Sequence, residues 1–339
     1  MKLFVIAPYL PRTGGASSYL YPLLKHLDDV EIKVYVPSGC ADAGSMAPVF
    51  NDLPNVEVRT GGDTDMKTWF DSFQPDALLC WEIDPYKSGC GGTRVVSVIH
   101  GEGAAHPPSD VIVCDTENLR TELIENYPDE ASKAITINGA VELGESDFDL
   151  RKYYGIPEKW NVVGFVGRFV PEKNPEALVR ASAGQDWTVL MVGIGPQEEL
   201  LDALSMELGV DTIFTGEMDN VWSAYEAMDL LCIPSLTEEF AQVSMEAALA
   251  GVPMVMTPVR SNPEIFGKNV FWTSLQPKEM RKTIAQALEH RHARKVLAGN
   301  AKRMIQERCG VQRFVEEWRK VLFGNRGDVK NEHSISQLP

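Results

Sequence analysis

Two glutamates with seven residues between them, Glu238 and Glu246, lie in the stretch PSLTEEFAQVSMEAALAGVPMVMTPVRSNPE that begins at Pro234. Ahead of them Leu230–Ile233 is a short apolar run closing on Pro-Ser, the pattern of a fully buried parallel strand. After Glu238, Val243–Leu249 has apolar or small residues at helical spacing, with Gly251 to stop it before Pro253. Glu238 therefore falls in a loop at a strand's C-terminal edge, where open α/β sheets bind ligands, and Glu246 in the first turns of the next helix. Carboxylates so placed can accept hydrogen bonds from neighbouring hydroxyls of one sugar-bearing ligand. A solvated acid beside a helix N-terminal acid would give the same spacing.

Three other groups could do chemistry. Arg168 and Lys173, in GRFVPEKN, flank the turn into a predicted helix Pro175–Ser182. Two cations at a sheet edge beside a helix N-terminus suit a diphosphate, because charge neutralisation and free amides add together. Taken alone they also read as two surface cations. His100 ends the strand Arg94–Ile99 and opens His-Gly-Glu-Gly, a position that fits either a structural hydrogen bonder or a ligand-facing ring. Gly14 and Gly15 occupy the turn between a first strand, Lys2–Ala7, and a helix Ser17–Leu27, where glycine lets a ligand approach the amides. A tight turn needing glycine for backbone reasons is the other reading.

The elements that must position these groups form two strand–helix series. The first has short strands at Glu31–Val36, Val56–Arg59, Ala77–Trp81, Arg94–Ile99, Val111–Asp115 and Ala134–Ile137, with helices at Met66–Phe73 and Glu117–Asn126. The interval Pro37–Leu53 reads as loop and weak helix. The second opens at Asn161 and continues through strands Trp187–Val192 and Thr212–Gly216 and a helix Val221–Met228. A short strand near Val270–Trp272 and helices Pro277–Glu289, Ala293–Gln306 and Val311–Leu322 follow. This alternation predicts doubly wound parallel sheets. The expected domains are 1–145 and 161–310, joined by an acidic linker at 146–160. A crossover helix at 311–323 and a polar, disordered tail at 324–339 complete the layout.

The run from Pro234 to Phe266 resembles the signature region of the retaining GT-B glycosyltransferases of family 4, the group 1 glycosyl transferases. Pro-Ser, the spaced glutamates, Glu-Ala, Gly-x-Pro and Asn-Pro-Glu recur there in order. Gly-Arg…Glu-Lys-Asn and Gly193-Ile-Gly195-Pro resemble the family's phosphate element and its turn near the base. The N-terminal Gly-Gly and Asn138-Gly-Ala-Val-Glu142 fit less specifically. The resemblance covers about Met1 to Leu322 and is strongest from Gly164 to Glu264. It implies two Rossmann-like domains facing a cleft, and a sugar moved from an α-linked UDP or GDP sugar to a hydroxyl acceptor with retention, without metal or other cofactor. Arg168 and Lys173 would bind the donor phosphates and Glu246 the ribose. Glu238 and His100 would meet the transferred sugar. Gly14, Gly15, Gly193, Gly195, Phe240, Ala241 and Gln242 would line the donor side. The family usually has glycine where this chain has Glu239 and Ala241, which bears on donor preference.

Composition limits the alternatives. The chain has 339 residues and a net charge of −16. Between residues 1 and 155, about 24 Asp and Glu face about 12 Lys and Arg. No basic stripe for nucleic acid or anionic lipid is evident, and no apolar run approaches a membrane span of roughly 20 residues. The six cysteines form no CxxC pair, and Cys80, Cys114 and Cys232 sit in strand-like runs, as expected of buried thiols in a reducing cytoplasm. Asp63-Thr-Asp65 and Asp147-Phe-Asp149 match a metal-binding DxD pattern but read as solvated loop acids. His100-x-Glu102 is half of a zinc-deaminase signature whose P-C-x-x-C is missing. A GT-B nucleotide-sugar epimerase and a non-catalytic nucleotide-sugar-binding protein are the competing readings. Donor sugar, base, acceptor and oligomeric state are not encoded in any of these motifs.

Overall fold

Runs of Val, Ile, Leu and Phe too short for helices become central strands in the computed structural model. It describes residues 1–7, 15–38 (backbone only over 15–18), 50–81, 92–101, 108–238, 240 and 242–325. The chain divides into two units, Met1–Ala140 with Cys309–Pro339, and Val141–Arg308.

The first unit holds β1 (Lys2–Ile6), β2 (Glu31–Pro37), β3 (Val56–Gly61), β4 (Ala77–Trp81), β5 (Arg94–Ile99), β6 (Val111–Cys114) and β7 (Ala134–Thr136). They form one parallel sheet in the order β3-β2-β1-β4-β5-β6-β7. Both faces are covered, which is why β4 and β6 are buried along their whole length instead of alternating. The helix Val311–Phe323 adds Phe314, Trp318 and Leu322 to the core that contains Leu3, Val5, Leu23 and Trp81. The last helix in sequence thus belongs to the first unit.

The second unit holds β8 (Asn161–Val166), β9 (Trp187–Val192), β10 (Thr212–Gly216), β11 (Leu230–Ile233), β12 (Met254–Met256) and β13 (Phe271–Trp272). Its parallel sheet runs β10-β9-β8-β11-β12-β13. Apolar faces of helices Pro175–Ser182 and Pro277–Glu289 close its core on Val163, Val189, Met191 and Cys232.

Several expectations change. The segment read as a linker is built into the second unit. A Cβ on Gly144 would stand 2.0 Å from Trp222 Nε1, so only glycine lets the indole lie there. Asn220 Nδ2 donates to Glu145 O at 2.8 Å, and the Arg151 guanidinium meets Asp229 at 2.6 Å. All four acids of these patterns are exposed, as solvated acids should be, but Asp63, Asp65 and Asp149 stand at helix starts instead of in loops. Asp63 and Asp65 occupy the first turn of helix Asp63–Phe73, favoured by its dipole. Asp149 caps helix Leu150–Tyr153, accepting from Lys152 N at 3.0 Å, while Asp147 accepts from Ser223 Oγ at 2.8 Å. The first helix runs Gly15–Lys25, starting and ending two residues earlier than its periodicity predicts. The tail beyond residue 325 and most of the interval 37–53 lie outside the described residues.

Candidate active site

In the second sheet the strand order reverses between β8 and β11, and a crevice opens where chains leaving these two strands part company. The loops at that point are the two singled out in the sequence. The β8 loop carries Arg168 and Lys173; the β11 loop carries Ser235 and Glu238. Three contacts tie them together. Leu236 N donates to Glu172 O at 2.8 Å, Asn174 Nδ2 donates to Pro234 O at 3.1 Å, and Lys173 Nζ donates to Glu238 Oε2 at 2.7 Å. Asn174 sits at φ 51°, a left-handed conformation that asparagine tolerates, and this turns the chain into the next helix.

Glu238 is 7% exposed, and both of its oxygens are engaged. Oε1 accepts from the Ser235 hydroxyl at 2.7 Å, opposite the lysine on Oε2. Ser235 is held in turn, since Thr257 Oγ1 donates to its carbonyl at 2.7 Å. A buried carboxylate with a cation and a hydroxyl on it is fully compensated, which is the condition for keeping one there. The Arg168 side chain is 64% exposed and touches Glu172 only at 3.5 Å, so its guanidinium is available to an anion at the crevice mouth.

Gly193 and Gly195 form the adjoining wall, and backbone packing demands them. Gly193 has φ +129°, and a Cβ there would stand 2.1 Å from Gly167 O; one on Gly195 would stand 2.5 Å from Phe169 O. Their loop hydrogen-bonds the β8 loop through Phe169 N to Ile194 O at 2.9 Å and Gln197 N to Phe169 O at 3.1 Å. These glycines bring the two loops into contact and so set where Arg168 begins.

Glu246 lies on helix Gln242–Ala250, partly buried. Tyr225 Oη donates to its Oε2 at 2.9 Å and the Gln242 side chain hydrogen-bonds it as well. Burial outweighs both contacts and pushes its carboxyl up to about 7. Phe240 is half-buried beside this helix start, its carbonyl accepting from Gln242 N at 2.9 Å. Ala241 and Glu239 lie outside the described residues, so the departures from the usual glycines have no structural account.

In the first unit His100 follows β5, and Asp115 follows β6. Its Nδ1 is 3.1 Å from Asp115 Oδ2, and its ring lies 4.4 Å from Trp81 and 4.9 Å from Tyr19. Gly15 begins the helix Gly15–Lys25, while Gly14 and Glu102 lie outside the described residues. Sequence reasoning missed Ser235, Tyr225 and Asp115 as partners. Each is chemically ordinary in its own stretch, and only the fold brings it to its glutamate or histidine. Among the described residues no His, Cys, Asp and Glu side chains converge as a metal site.

Residues 146–304 match the family model for glycosyl transferases group 1. The chain is 33% identical over 153 residues to a 2-deoxystreptamine glucosyltransferase of Streptomyces kanamyceticus, covering 41% of this chain and 40% of that one. It spans about two fifths of the length of the curated relatives it matches in this way. A longer and weaker similarity, 21% identity across 94% of this chain and 98% of the relative, is to an uncharacterized glycosyltransferase of Methanocaldococcus jannaschii. The fold is that of Anabaena HepE, solved with UDP and glucose, at TM-score 0.80 and 20% identity over 95% of this chain and 99% of that one. Two Rossmann-like parallel sheets of this kind define the GT-B architecture.

Proposed function

We propose that the protein is a retaining, metal-independent GT-B glycosyltransferase of family 4. It takes a sugar from an α-linked nucleotide diphosphate sugar, UDP or GDP, to a hydroxyl acceptor in the cytoplasm. The observation that carries this reading is the Lys173–Glu238 pair at 2.7 Å, seated at the switch point of the second sheet. Lys173 spends one of its three N–H donors on Glu238 and keeps two for diphosphate oxygens. Arg168 adds a second positive charge where negative charge grows on the departing nucleotide, the arrangement that stabilises a transition state most. Glu246 serves the ribose hydroxyls, and His100 a hydroxyl of the substrate. The UDP and glucose in HepE support UDP as the first donor to try.

The way Glu238 is held supports a route in which no sugar becomes bound to it. A carboxylate with Ser235 on one oxygen and Lys173 on the other is a poor nucleophile but a good acceptor, because each oxygen keeps a second lone pair for a sugar hydroxyl. The acceptor oxygen then bonds to the anomeric carbon on the face the leaving phosphate vacates. The bond from that carbon to the phosphate oxygen breaks, and the acceptor's proton passes to the phosphate.

The test is incubation of the protein with UDP-glucose and GDP-mannose, with and without EDTA. Nucleotide release, unchanged by the chelator, and an α-linked product are expected. Glu238→Gln should bind nucleotide as well as wild type and lose most transfer. An epimerised donor, a β-linked product, or a sugar covalently trapped on Glu238 would overturn the reading.

A further inference from the structure

Ile99 and Cys114 are register partners on neighbouring parallel strands, so the next residue of each, His100 and Asp115, leaves the sheet side by side. Asp115 is 1% exposed and its main chain is fixed. Its carbonyl accepts from Asn138 Nδ2 at 2.7 Å, and the adjoining Thr116 caps helix Glu117–Asn126. The carboxylate meets His100 Nδ1 at 3.1 Å. On the other sides the imidazole is held by rings that are themselves immobile. Trp81 is fully buried, and Tyr19 donates its hydroxyl to Ile137 O at 2.6 Å while packing edge-on to Phe314. His100 cannot turn over without displacing one of them. Its Nε2 is buried and has no hydrogen-bond partner among the described residues.

We propose that Asp115 is a positioning residue that holds His100 as the Nδ1–H tautomer, leaving Nε2 as a hydrogen-bond acceptor for a substrate hydroxyl. This rests on the reading of His100 as a substrate-facing group, and it goes beyond that reading by fixing the direction of the hydrogen bond. The reasoning is local. If Nδ1 carried no proton, its lone pair would face a carboxylate oxygen at hydrogen-bonding distance. Burial raises the Asp115 carboxyl from its ordinary value, and the hydrogen bond from the His100 ring is the main contact that opposes that rise. Fixing one nitrogen fixes what the other can do. Nε2 then has an unmet need for a donor, and sugar hydroxyls are donors. The same logic gives a buried carboxylate its effect on a histidine in unrelated enzymes without the carboxylate touching substrate.

The test is nitrogen NMR on protein labelled at histidine with 15N, at a pH where the ring is neutral, with His100→Ala to assign its signals. Wild type should show a protonated Nδ1 and a bare Nε2. In Asp115→Asn, nearly the same size, the ring should relax to the Nε2–H form favoured by free imidazole. Transfer should fall by at least about tenfold, with nucleotide affinity unchanged. A wild-type spectrum with Nε2 protonated overturns the proposal, whether or not the variant folds. So does an Asp115→Asn protein with the altered tautomer and wild-type turnover. If His100→Ala itself transfers sugar normally, the role of His100 falls while the spectrum still decides what Asp115 does to it.

Discussion

Replacing Glu246 with glutamine should stabilise the protein at alkaline pH while weakening its hold on nucleotide. In an unfolded chain this carboxyl titrates near the ordinary glutamate value of 4.5, and burial pushes it up to about 7 in the folded protein. Between those values the folded state carries a proton that the unfolded state has lost, so the contribution of Glu246 to stability declines as pH rises through that window. Above pH 7 the whole cost of keeping the carboxylate ionised is present. A rise of about 2.5 pH units, at roughly 1.4 kcal/mol per unit, puts its upper bound between about 3 and 4 kcal/mol. Glutamine has no such term, and it keeps an oxygen for Tyr225 Oη, which donates to Oε2 at 2.9 Å. The difference in unfolding free energy between Glu246→Gln and wild type should therefore be small and flat below pH 4, then grow in favour of the variant to a plateau above pH 8. Urea denaturation of both proteins in matched buffers measures it, and groups common to both cancel in the difference. In parallel, wild-type affinity for a nucleotide sugar should weaken as pH falls below 7, because a protonated carboxyl is a poor acceptor for ribose hydroxyls. Parallel stability curves from pH 4 to 9 would refute the argument, since they would mean that burial imposes no charge penalty on Glu246.

Arg168→Ala and Lys173→Ala should each lower turnover by more than about tenfold, as loss of a preorganised charge contact does; steady-state kinetics checks both. Lys173→Ala should also destabilise the protein by about 1–3 kcal/mol, because Glu238 is left buried with only Ser235 to balance it, whereas Arg168→Ala should be neutral in the same melt. Gly193→Ala should cost at least about 2 kcal/mol and raise the donor KM, because a Cβ there would stand 2.1 Å from Gly167 O. Wild-type melting of Gly193→Ala would mean that the two loops are not locked together.

Much of the setting of these side chains was legible in the sequence because it depends on local patterns. Apolar runs such as Leu230–Ile233 are too short to be anything but strands in an alternating series, and glycines such as Gly251 mark where helices stop. A spaced pair such as Glu238 and Glu246 keeps its strand-loop-helix setting wherever the unit sits. One short strand and the place of one segment were missed where packing decides them. The strand β12 is only Met254–Met256, and its three apolar residues earn strand geometry from β11 and β13 on either side. The segment 144–160 has the polar, proline-bearing look of a linker, yet Trp222 over Gly144 and Arg151 on Asp229 bind it to the second unit.

What pairs with what was a matter for the tertiary structure alone. Lys173 and Glu238 are 65 residues apart, and Tyr225 and Glu246 are 21 apart. His100 and Asp115 meet because β5 and β6 are in register, a fact with no signature in either strand. Residue type determines which proton or charge a side chain can offer. Whether that offer goes to solvent, to a neighbour or to a substrate depends on burial and on which strand lies alongside, and these are properties of the folded chain.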